Sequence, residues 1–106
     1  MDDILNKFTV EGLFDAQHKD LLKPFLTEES RTHLDEILAK AEHASFVEYI
    51  LTRVVMLILQ ERFPDFKGEW ELIIKKTRKA INPIKAKASD VLTKDIESIK
   101  CAEGEV

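Results

Sequence analysis

Glycine is scarce in this chain, three residues in 106. A loop that cradles phosphates through backbone N–H groups needs glycines at set spacings, and no such loop is present, nor any G-x-S-x-G nucleophile turn. Proline is equally scarce, so little of the chain is set aside for loops, and helices joined by short turns are expected. The single cysteine, Cys101, has no partner for an internal disulfide, which points to a reducing compartment. A nucleophilic cysteine also needs a neighbouring base, and Lys100, adjacent in sequence, projects elsewhere on a helix. Spanning a membrane takes about 20 apolar residues, and Glu48 and Arg53 interrupt the longest candidate. Asp2 and Asp3 follow Met1 where a leader would carry basic and then apolar residues, so no signal peptide and a cytoplasmic location are expected.

What remains is an ordinary balance of 44% hydrophobic and 34% charged residues, enough for one domain with its own core. Ser45 to Phe63 (SFVEYILTRVVMLILQERF) is the one segment apolar on nearly every face. A helix of that kind is buried rather than half-exposed. Ser45 with Glu48 three residues on reads as a capping box, and Pro64 disfavours helix for the residue before it.

The other segments carry narrower stripes. Residues 1–8 hold Ile4, Leu5 and Phe8 on one side of a short turn, ordered only if those three dock. Thr9 caps an expected helix to about Lys23, with Val10, Leu13, Phe14, Leu21 and Leu22 as its buried stripe. Thr27 followed by Glu28 and Glu29 opens a second, with Leu34, Ile37, Leu38 and Ala41 inward. His43 and Ala44 turn the chain into the apolar segment. A fourth helix is expected from Glu69 to about Ile81, its stripe including Trp70, Ile73, Ile74 and Thr77. Asn82-Pro83 reads as a cap and first-position proline, starting a fifth that reaches about Cys101 through Ile84, Ala88, Val91, Leu92, Ile96 and Ile99. Residues 102–106 are expected to fray. These elements make the fold class all-α, a single domain over 1–106: a compact bundle of four to five helices around a buried central helix.

Histidine is the first place to look for chemistry. Asp15-Ala16-Gln17-His18 and the residues to Leu22 resemble the first-helix signature of the hemerythrins, in which D-x-Q-H supplies a histidine to a di-iron site inside a helical bundle. The resemblance implies a metal-ligand role for His18, hence a helical metal or cofactor carrier. It covers about eight residues, and the family's later histidines have no counterpart, since none follows His43. No E-x-x-H pair supplies the ferritin-type alternative. No metal, cofactor or catalytic residue is therefore assigned. His33 has Glu29 and Glu36 on its helix face, which reads either as an acid–base pair or as a solvated charged face.

The charge pattern is more informative. Residues 1–48 hold eleven acids and five bases, a net of -6, whereas Lys75, Lys76, Arg78, Lys79, Lys85 and Lys87 form a run of bases with no acid between them. A basic patch can meet phosphates. Here it lacks the interleaved aromatics on which single-stranded nucleic acids stack, and the rest of the chain is acidic. A nucleic-acid or phosphate contact through residues 75–87 is thus the weaker reading. The stronger one is a non-enzymatic module that binds another protein, for instance an acidic inhibitor such as an immunity protein or antitoxin, with those six bases as candidate contact residues. The opposite charges of the two regions also offer complementary surfaces to a second copy, giving a homodimer as a further expectation.

Overall fold

The computed structural model describes residues 2–8, 12–41, 44–87 and 90–100. The all-α reading holds: five α-helices and three short 3-10 segments carry the chain, and no strand occurs among the described residues. No helix among them is long and apolar enough to cross a membrane. The helices are α1 (Asp2–Leu5), α2 (Glu28–Lys40), α3 (Ala44–Arg62), α4 (Lys67–Lys87) and α5 (Asp90–Glu97).

The chain before α2 departs most from expectation. Among the described residues from Gly12 to Lys23 no α-helix occurs. Gly12 adopts a positive φ of 94°, a conformation that ends regular helix and that L side chains rarely take. The backbone doubles back there. Phe8 and Phe14 form an isolated antiparallel bridge, and the Asp15 N–H donates to the Lys7 carbonyl at 2.9 Å. Asp15 then caps the next turn, its Oδ1 accepting from the Gln17 N–H. Two 3-10 segments result, Ala16–Leu21 and Lys23–Phe25, the first kinked at His18. Of the expected apolar residues, Leu13, Phe14 and Leu22 are buried, whereas Leu21 is only half-buried. Ile4 docks in the core too, with Leu5 and Phe8 packed against it. Thr9 and Val10 lie outside the described residues.

The α2 start matches the sequence. Thr27 is the N-cap, its hydroxyl accepting from the Ser30 N–H at 3.1 Å, with Glu28 and Glu29 in the first turn. Leu34 and Ile37 are buried, and Leu38 and Ala41 pack at the edge. α3 begins one residue before the expected cap, so Ser45 sits inside the helix, and the true cap position lies outside the described residues, as does His43. Tyr49, Ile50, Leu51, Val54, Val55, Ile58 and Leu59 are each at most 1% exposed within this single chain. α3 packs against α4, α5 and the 3-10 segments Ala16–Leu21 and Pro64–Phe66. Phe46, Val47, Met56 and Leu57 on α3 are half-buried.

The corner after α3 is aromatic. Phe63 meets Phe25 at 5.6 Å and Phe66 at 6.4 Å between ring centroids, and the Arg62 guanidinium lies over Phe25. Trp70 fixes the corner by donating its Nε1–H to the Phe63 carbonyl at 2.9 Å. The residues expected as a loop, 64–68, instead form the 3-10 turn Pro64–Phe66 and the first turn of α4.

Pro83 does not start a new helix. α4 runs through it to Lys87. Proline removes one i→i−4 hydrogen bond, here the one to the Lys79 carbonyl, and its ring crowds the preceding turn. Both residues are on the exposed side, where water can serve that carbonyl. The last helix is accordingly shorter than expected, and Ile84 belongs to α4. Ile96 and Ile99 carry the α5 end into the core. Ala88, Ser89 and Cys101 lie outside the described residues.

Candidate functional site

The six candidate bases all come from one helix, and the fold exposes every one of them. α4 buries Trp70, Ile74, Thr77 and Ile81, which recur at three and four residues and so face the core. The helical period then turns Lys75, Lys76, Arg78 and Lys79 outward. From Leu72 to Lys87 the helix carries no acid. None of the six bases joins an ion pair among the described residues. Leu72, three and four residues before Lys75 and Lys76, is 74% exposed, so the face is cationic with an apolar residue at its edge.

The acids of the N-terminal half are more engaged. Asp20 and Asp35 both pair with Lys23, at 3.6 and 3.5 Å, and Asp15 caps Gln17 while lying 3.9 Å from His18. The charge asymmetry seen in the sequence thus becomes a difference in availability. Among the described residues the bases of α4 are free of ion pairs, whereas part of the acidic complement is held within the chain.

A groove of about 350 Å³ runs between the C-terminal end of α3 and the first half of α4. Lys67, Lys75 and Arg78 form its rim, with Glu71 as the one carboxylate lining it among the described residues. Trp70 and Ile74 form the floor, and Gln60 and Pro64 close one side. Because Trp70 uses its N–H on Phe63, the floor offers that groove no indole donor.

A second, larger groove of about 510 Å³ lies where α2 meets the end of α5. Ser98 Oγ lies 2.7 Å from His33 Nε2, the spacing of a nucleophile and its base. Ser98 Oγ also lies 2.7 Å from the Asp95 carbonyl and donates to it. His33 Nε2 is 3.1 Å from that same carbonyl, so the tautomer with its hydrogen on Nε2 satisfies all three contacts. The pair closes the C-terminal turn of α5, where the Asp95 carbonyl also accepts from the Ser98 N–H at 3.3 Å. Neither Glu29 nor Glu36 pairs with His33 among the described residues. Ser30 completes the seam, its Oγ accepting from the Lys100 N–H at 2.8 Å, while the Thr27 N–H donates to the Lys100 carbonyl at 3.3 Å.

Compared with protein-family models, with curated proteins and with solved structures, the chain matches none of them.

His18, the residue that resembles a hemerythrin ligand, stands in the kinked 3-10 segment with Asp15 as its neighbour. Among the described residues no three His, Cys, Asp or Glu side chains converge as a metal site would require. The seam of Ser30, His33, Ser98 and Lys100 was not legible in the sequence. Its partners stand 65 and 70 residues apart, and no local spacing relates them.

Proposed function

We propose that this chain is a non-enzymatic protein-binding module whose contact surface is the basic outer face of α4, and that its partner presents carboxylates to that face. One observation carries the reading: six exposed cations on one helix, without an intervening acid and without an ion pair among the described residues. Such a face steers an oppositely charged partner and orients it on arrival. The acidic N-terminal half would repel nucleic acid, which favours a protein partner over a phosphate backbone.

The test is affinity capture with the wild-type chain and with a variant carrying Lys75→Glu, Lys79→Glu and Lys85→Glu. These side chains are exposed, so the variant should fold, and circular dichroism checks that it does. The expected result is one stoichiometric protein bound by the wild type and lost by the variant. Capture that is unchanged by charge reversal would refute the assignment of the face.

Self-association is a second reading, favoured by the net -6 of residues 1–48 against the bases of α4. Its basis is electrostatic, since the most apolar positions of α3 are buried within one chain. Sedimentation equilibrium should then give twice 12.2 kDa in low salt and the monomer mass at about 0.5 M, where exposed charge pairs are strongly screened. The monomer mass in both conditions would end that reading.

A further inference from the structure

We infer that the groove between α3 and α4 is the anchoring point of the partner, and that it takes a segment in which carboxylates flank an apolar side chain. The inference rests on the reading of α4 as the contact face and narrows it to one place and one chemistry. The groove has walls: Lys67, Lys75 and Arg78 stand on its rim over a floor of Trp70 and Ile74. Lys85 and Lys87, further along α4, are exposed and are not among its lining residues. Lysine and arginine keep their charged heads in water and lay their methylene stems along apolar surface, so the rim side chains widen the apolar lining.

Charge sets the sign of the occupant. Three cations against Glu71 leave the rim net positive, and Arg78 can hold a carboxylate with two parallel N–H donors. The floor sets the second requirement. An apolar side chain seated over Trp70 and Ile74 would exclude water from the rim, and the charge pairs formed there would gain strength from that exclusion. Pure polyanions satisfy the first requirement and leave the second unmet. Glu71 adds selectivity, because a second carboxylate placed over it would be repelled. The segment expected is therefore one with acids on both sides of a leucine or phenylalanine, rather than a continuous acidic run.

Fluorescence anisotropy tests this with two short fluorescein-labelled peptides. In one, glutamates flank a Leu-Phe pair; in the other that pair is replaced by Ser-Ser. The protein is used as wild type, as the groove variant Lys67→Glu/Arg78→Glu, and as the distal variant Lys85→Glu/Lys87→Glu, which has the same change in charge. The expected result is binding of the Leu-Phe peptide by the wild type. The groove variant should then weaken it by about tenfold or more, and the distal variant by about threefold or less. The Ser-Ser peptide should bind about tenfold more weakly than its parent.

Equal losses in the two variants would overturn the groove while leaving α4 as the contact face. So would equal binding of the two peptides. A single-stranded oligonucleotide of the same charge that outcompetes the Leu-Phe peptide would overturn the proposed chemistry. If the wild type ignores both peptides but still captures a partner through its α4 lysines, the inference fails alone. If capture is also indifferent to charge reversal, the reading on which it rests fails with it.

Discussion

The hydroxyl of Thr77 donates to the carbonyl of Gly12 at 2.8 Å across 65 positions of sequence. On the other side of the same loop, the Phe14 N–H donates to the Thr52 hydroxyl, also at 2.8 Å, and Thr52 in turn donates to the Glu48 carbonyl. Two buried threonines, one on α3 and one on α4, thus satisfy the backbone of a segment that has no helix of its own. Removing either hydroxyl without removing its partner leaves a buried polar group unmatched. Thr77→Val should cost about 1–3 kcal/mol, read from urea denaturation. A loss below about 0.5 kcal/mol would mean that the Gly12 carbonyl finds another donor.

Gly12 itself should tolerate no side chain. Its φ of 94° is strained for alanine, and an added Cβ would meet Lys76 Cγ at 3.3 Å and the Lys76 carbonyl at 3.4 Å. Gly12→Ala should destabilise by more than about 1 kcal/mol, whereas Gly68→Ala, with nothing nearby, serves as the control. Equal melting temperatures for the two variants would contradict this account of the loop.

These two positions show why the first quarter of the chain misled the sequence reading. Leu13, Phe14, Leu21 and Leu22 have helical spacing, yet a positive φ at Gly12 and the Asp15 cap break the chain into turns. Tertiary hydrogen bonds from Thr52 and Thr77 outweighed local periodicity, and no local pattern announces them. Pro83 misled in the opposite direction. Asn82-Pro83 has the form of a helix start, but the exposed side of α4 tolerates the lost hydrogen bond. Where burial and local chemistry agree, as at Thr27 and along Trp70, Ile74, Thr77 and Ile81, the sequence was legible. The bases of the candidate site were legible for the same reason, since a helix that buries one face must expose the opposite one. The groove beside them was not, because Gln60 and Pro64 reach it only through the aromatic corner.

Val55, fully buried on α3, offers the harshest test of the core. An unpaired carboxylate there costs several kcal/mol against a total stability of about 5–15 kcal/mol, so Val55→Asp should unfold the chain. A soluble variant that still melts cooperatively would contradict the burial of α3.

Tyr49 should behave in the opposite way. Its side chain is fully buried, and its hydroxyl has no hydrogen-bond partner among the described residues. Tyr49→Phe removes that hydroxyl and keeps the ring, so stability should stay level or rise by about 1 kcal/mol. A loss of more than about 1 kcal/mol in thermal unfolding would show that the hydroxyl does have a partner.

The seam between α2 and the end of α5 should open locally. Ser30→Ala frees the Lys100 N–H and should cost about 1 kcal/mol. Amide hydrogen exchange should quicken over residues 96–100 while α3 and α4 keep their protection. Uniform acceleration across the chain would mean that the seam belongs to the global unfolding unit.

The contact face itself is best located by NMR, titrating the isotope-labelled chain with the glutamate-flanked Leu-Phe peptide and tracking every amide. If the basic face of α4 is the docking surface, shifts should centre on residues 60–78 and extend along α4, and should collapse at about 0.5 M salt. Shifts centred on the groove at Glu29, His33 and Ser98, with α4 unmoved at saturation, would contradict it.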